Sequence, residues 1–445
     1  VVRVRGLLIE SEGPPAQIGD LAQVERPDGR TVWAEVVGLD GDRVQLMPFS
    51  DAGGIEIGTP VIGMGYPLSV PVSDKLLGRV LDSLGRPTDG GGEISSTQSY
   101  PALSGPPAAM ERAPITEQLH TGVRALDALV PVGMGQRMGI FSASGVGKST
   151  LLGMIARNTS ADVNVVALIG ERAREVREFL ENDLGPEGLK RSVVVVSTSD
   201  TPPLARLRGA FVATAIAEYF RDRGKNVMLL FDSVTRFARA QREIGLSVGE
   251  APANRGFPPS VFALLPRLLE RAGTSSRGTI TGFYSVLVEG DDLDEPVSDT
   301  VRGILDGHLV LSRRLAERSH YPAIDVLASI SRLQNRVTEE AHQEAAGELR
   351  SLLAAYTERE DLISIGAYAR GSDPRVDRAI ERIDGINGFL RQRIAENSSP
   401  EDSLQGLRQA AGLAEASEGG GNSAEAALLA ALGASASAEE VGGDA

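Results

Sequence analysis

The chain has 445 residues, a formal net charge of −15, 4% aromatic residues and no cysteine. Its length is roughly three times that of a typical domain, so two or three domains are expected. The missing cysteines exclude disulfides, thiol nucleophiles and zinc-thiolate sites, and the acidic balance opposes non-specific binding to nucleic acid or anionic lipid.

Taken in chain order, short apolar stretches at Val2 to Ile9, Thr31 to Leu39 and Arg43 to Met47 alternate with Gly, Pro and Asp. They predict a small β-barrel over residues 1–72. The segment from Leu76 to Met110 is rich in Gly, Pro and Ser and reads as a connection, 73–111, leading into the next domain. The rhythm then changes to apolar runs at Met138 to Phe141, Val163 to Ile169, Ser192 to Ser197, Val227 to Phe231 and Ile280 to Val288, separated by helical periodicity. That pattern predicts an α/β domain, a parallel sheet with crossover helices ending near residue 338.

Helix formers dominate beyond Glu339, as in Glu344 to Tyr356 and Asp377 to Ile394, which predicts a helical domain over 339–413. Residues 414–445 are mostly Ala, Gly, Ser and Glu and read as a disordered tail; within it Ala424 to Leu432 could form a short amphipathic helix. No run of about 18 or more apolar residues is present, and the start at Val1 lacks the order of a signal peptide, so a soluble cytoplasmic protein is expected. The chain does not open on Met, and further residues upstream of Val1 are expected.

The chemistry concentrates at Ser144-Gly145-Val146-Gly147-Lys148-Ser149-Thr150, between a predicted strand and a predicted helix over Ser149 to Ala156. Backbone N–H groups and the positive end of a helix converge on phosphate in such a turn. Lys148 would reach the β and γ phosphates of ATP, and the Ser149 hydroxyl would ligate Mg2+. The full phosphate-loop motif begins with glycine, yet Ser142 stands there. The remaining G-K-S core arises by chance in roughly one chain of this length in five, so its partners decide the matter.

The buried run Val227 to Phe231 ends in Asp232, at the strand end where open sheets present ligand-binding groups, and Asp232 suits magnesium held through water. The strand Val163 to Ile169 runs into Gly170-Glu171-Arg172, where Glu171 could orient a water; the alternative is a solvated charge on the following helix. His120, His308, His320 and His342 lack metal-ligand spacing and receive no role.

These blocks, with Leu76-Leu77-Gly78-Arg79-Val80-Leu81-Asp82, Asp232-Ser233-Val234-Thr235-Arg236, Arg255-Gly256-Phe257-Pro258-Pro259-Ser260 and Tyr321-Pro322-Ala323-Ile324-Asp325, resemble the export ATPases of flagellar and type III secretion systems. These are relatives of the catalytic subunit of rotary ATP synthases. The resemblance runs from Val1 to about Gly412 and implies a six-stranded barrel, a RecA-like nucleotide domain and a C-terminal helical domain, assembled as a homohexamer. It implies that Glu171 polarises the attacking water, that Lys148 and Ser149 or Thr150 lie on phosphate and Mg2+, and that Arg172 lies near the γ-phosphate. Tyr321 matches an adenine-stacking tyrosine, and Arg332, in Ser329-Ile330-Ser331-Arg332, matches an arginine finger acting on the neighbouring subunit.

The implied partners are export-apparatus membrane proteins, regulatory stalk proteins, chaperones and unfolded export substrates, with peripheral association at the inner face of the cytoplasmic membrane and no nucleic acid. The stretch Ala369-Arg370-Gly371-Ser372-Asp373-Pro374 departs from the acidic shaft-contacting turn of the synthase subunit, which favours export. The competing readings are a rotary synthase or ion-pump ring subunit, a Rho-like RNA translocase, and a scaffold that binds nucleotide without hydrolysing it.

Overall fold

The computed structural model describes residues 1–288 and 292–413. The proposed tail and its Ala424 to Leu432 helix lie outside the described residues.

Six N-terminal strands form one sheet: β1 (Arg3–Arg5), β2 (Leu8–Glu12), β3 (Asp20–Glu25), β4 (Thr31–Asp40), β5 (Arg43–Pro48) and β6 (Val61–Pro67), in the order β1-β2-β5-β4-β3-β6. The sheet curls around a core of Ile9, Val24, Val32, Ala34, Val36 and Leu46, and Val1 is hydrogen-bonded to residues 58 and 59, drawing the open edges together. The expected single strand at Val2 to Ile9 is two strands paired antiparallel, because Gly6 takes a left-handed φ of 58° and turns the chain.

The central sheet contains β7 (Val80–Leu81), β8 (Arg137–Ser142), β9 (Val163–Ile169), β10 (Ser192–Ser197), β11 (Asn226–Asp232), β12 (Thr279–Leu287), β13 (Gly307–Leu311) and β14 (Ile324–Ser331). Its order is β14-β13-β8-β12-β11-β9-β10-β7. Every pairing along that path is parallel except that of β13 with β14. The Val- and Leu-rich strands are buried on both faces, as parallel strands require. The glycine-rich connection is more structured than its composition suggests: it supplies β7 at the sheet edge, and Gln98–Pro101 pairs with Ser69–Val72.

Helix α1 (Lys148–Asn158) covers one face of the sheet. Helices α2 (Pro203–Asp222) and α3 (Val234–Ser247) cover the other. A buried ion pair between Arg208 of α2 and Glu35 of β4 ties the barrel to the nucleotide domain. The fully buried Arg271 donates to Glu218 and to the Ala102 carbonyl at 2.6 Å each, clamping the connection onto α2.

Helices α4 (Glu340–Ser364), α5 (Pro374–Leu390) and α6 (Pro400–Ala411) form the C-terminal layer and pack through Leu349, Leu352, Ile386 and Leu407 onto the face covered by α1. Asp373 and Ser399 cap α5 and α6 with their side chains, each followed by proline at the first helical position. Helix α5 ends at Leu390, short of the expected Ile394. Among the described residues no helix is long and apolar enough to cross a membrane.

Candidate active site

Strands β8, β9 and β11 end at one edge of the sheet, and the loops leaving them meet there. Ser142 closes β8 level with Leu287 of β12, and Asp232 closes β11 level with Leu168 of β9. The carboxyl edge of a parallel sheet is where such folds present chemistry.

After Ser142 the chain turns through Gly145 (φ 81°) and Gly147 (φ 88°) into α1. Gly147 needs its glycine because the backbone is left-handed, and the Tyr321 ring lies beside it, 3.6 Å from where a Cβ would stand. Ser144, Gly145 and Ser149 are exposed, Gly147, Lys148 and Thr150 are half-buried, and Val146 anchors the turn in the core. Ser142, at the first motif position, is buried and its hydroxyl has no partner.

The Lys148 ammonium bonds Asp232 Oδ1 and lies 4.0 Å from Glu171 Oε1. Ser285 Oγ donates to the same Asp232 oxygen at 2.6 Å, and Arg236 Nε donates to Glu171 Oε1 at 3.3 Å. Gly170 makes the second contact feasible, since a Cβ on it would press within 2.6 Å of Arg236 Cδ. Burial, with the nearby Asp232 carboxylate second and against the opposing pull of Lys148 and Arg236, pushes the Glu171 carboxyl up to about 7. A carboxylate poised there holds and releases a proton at neutral pH, as a general base must.

Tyr321 is half exposed, beside the turn. Arg172 precedes the helix Ala173–Glu178; its side chain is 73% exposed and pairs with Glu175 at 3.4 Å. Arg332 is exposed just beyond β14, with its backbone N–H on the Asp306 carbonyl. Sequence reasoning thus named Lys148, Asp232 and Glu171, which the fold brings together, and Tyr321, which joins them. It gave no role to Arg236 or Ser285. Their only signals are an arginine one helical turn beyond Asp232 and a lone serine inside the apolar run Phe283 to Val288.

The carboxylate and hydroxyl at Asp232 and Ser149 are the hard oxygen donors that Mg2+ accepts. Among the described residues no group of three or more His, Asp or Glu could hold a metal alone, so a cation here would draw its remaining ligands from water and nucleotide.

Comparison with known proteins agrees with this geometry. The ATP synthase alpha/beta family matches over its β-barrel domain at residues 1–65 and its nucleotide-binding domain at 122–331. The T3SS EscN ATPase C-terminal domain matches at 338–409. The chain is 59% identical over 414 residues to the flagellum-specific ATP synthase of Treponema pallidum, covering 93% of each. The assembled ATPase EscN of the enteropathogenic E. coli type III secretion system superposes with a TM-score of 0.88 at 45% identity, over 92% of this chain and 99% of that one. EscN in complex with its central stalk EscO gives 0.86 at 45% identity and the same coverages. Neither a rotary-synthase subunit nor an RNA translocase is favoured by these matches. The barrel, the phosphate turn with its two carboxylates and the secretion-type C-terminal helices place this chain in the flagellar and type III secretion ATPase family.

Proposed function

We propose that this export ATPase works at a site shared between two copies of itself. ATP phosphates lie on the turn Ser144 to Thr150, Lys148 exchanges its carboxylate partners for the β and γ phosphates, and Tyr321 stacks on the adenine. Ser149 and Asp232 hold Mg2+, which when bound neutralises charge on the β and γ oxygens. Glu171 takes the proton of the attacking water, and Arg172 swings toward the γ-phosphate.

Arg332 completes the site of the adjacent copy in a homohexamer. The chain runs as barrel 1–72, ATPase domain 73–338 and helical domain 339–413, followed by the tail 414–445. It serves in the cytoplasm at the inner face of the cytoplasmic membrane, with a stalk protein, export-apparatus membrane proteins, chaperones and unfolded substrates as partners. The assembled EscN and its complex with EscO support the ring and the stalk.

The observation that carries this reading is the buried Lys148–Asp232–Glu171 cluster at the end of a phosphate-binding turn. Glu171→Gln keeps the shape and removes the base. ATP binding should stay within about twofold while phosphate release falls at least about a hundredfold. A variant retaining more than a few per cent of turnover would refute the assignment.

A further inference from the structure

Ser285 is fully buried on β12. Its strand is paired on both sides, with Ile140 of β8 opposite Ser285 and Phe231 of β11 opposite Tyr284, so its backbone is fixed relative to both the phosphate turn and Asp232. Its hydroxyl donates to Asp232 Oδ1 at 2.6 Å, the same oxygen that receives Lys148. No hydrogen bond reaches Asp232 Oδ2 from the described residues.

A lysine that moves to phosphate when nucleotide arrives leaves Asp232 without its cationic partner. A buried carboxylate that loses its donors is costly and free to rotate. Ser285 is the donor that stays.

We propose that Ser285 is a positioning residue for magnesium: its hydroxyl holds Asp232 Oδ1 while Lys148 departs, and so keeps Oδ2 directed to the cation and its waters. The inference rests on the reading of Asp232 as the magnesium carboxylate. Outer-shell partners of metal ligands typically contribute about 10- to 100-fold in metal affinity. The lower end applies here, because nucleotide and water would supply most of the coordination.

The test is the magnesium dependence of nucleotide binding by the full chain, read as the anisotropy of a fluorescent N-methylanthraniloyl ADP with Mg2+ titrated from a chelated start. Ser285→Ala should raise the half-saturating Mg2+ by about tenfold while metal-free affinity stays within about twofold of wild type. Coincident magnesium curves overturn the proposal, as does an equal loss of metal-free affinity, which would mark a merely structural role. Should Ser285→Ala fail to fold, Ser285→Cys keeps a small side chain with only a weak donor and is read the same way. A wild-type chain whose ADP binding ignores Mg2+ would instead sink the magnesium role of Asp232, and the role of Ser285 with it.

Discussion

Tyr321 and Arg332 stand beyond opposite ends of β14, which runs antiparallel to its neighbour β13. Ile324 is level with Leu311, which is level with Ser142 at the carboxyl edge, whereas Ser331 is level with Gly307 four residues down β13. At about 3.3 Å per residue, Ser331 lies some 13 Å down the sheet from the level of Ser142, and Arg332 follows it. That separation suits the proposed action on an adjacent copy rather than on its own site.

Arg332→Ala should therefore lower turnover by about 10³- to 10⁵-fold, roughly 4 to 7 kcal/mol of transition-state stabilisation, with nucleotide affinity little changed. Mixed with wild-type subunits, the variant should depress activity more steeply than its mole fraction. A linear dilution curve would show that the arginine does not act across the interface.

Glu171 carries a pH signature. Its folded pKa of about 7 lies above the ordinary 4.5, so the folded protein binds this proton more tightly than the unfolded chain does. The resulting stability is complete below about pH 4.5 and is lost as pH rises through about 7. Activity has the opposite slope, because the base works ionised: kcat/KM should climb to a plateau above about pH 7. Rate profiles between about pH 6 and 8.5 check the second statement, and Glu171→Gln should flatten the stability slope. A pH-independent wild-type kcat/KM would contradict the assignment.

Much of this was legible in the sequence because long apolar runs admit few arrangements. Val163 to Ile169 and Val227 to Asp232 read as buried strands, and a carboxylate at or just beyond each end could be placed at one edge of a sheet. Strand β7 escaped notice since it has two residues, in a segment otherwise read as connection. Strand β14 escaped for another reason: at the edge its apolar residues are only partly covered, Leu327 and Ile330 among them, and its run is interrupted by serines. The contacts of Arg236 and Ser285 span 65 and 53 residues, a pairing only the fold reveals.

Tyr321→Ala should weaken ATP binding by about 1 to 2 kcal/mol, roughly five- to thirtyfold, through lost stacking, with kcat nearly unchanged. Tyr321→Phe should bind as wild type, since the ring face and not the hydroxyl meets the base. Equilibrium binding of ATP and ADP distinguishes the two, and a defect in Tyr321→Phe matching that of Tyr321→Ala would exclude stacking.

The barrel attachment is testable through Arg208 and Glu35, whose side chains are 12% and 3% exposed. Arg208→Ala strands a buried carboxylate and should cost about 3 to 5 kcal/mol in urea unfolding. Pairing Glu35→Gln with Arg208→Met should recover most of that loss. If the single variant unfolds like wild type, the ion pair does not hold the two domains together.

The reversal of β14 also bears on how its two ends are held. Ile324 and Asp325 pair with Leu311 and Val310, Ile330 and Ser331 pair with His308 and Gly307, and the strand bulges in between. A bulge is the compliant point of an edge strand, so the stretch beside Tyr321 and the stretch beside Arg332 are each set by β13 rather than by one another.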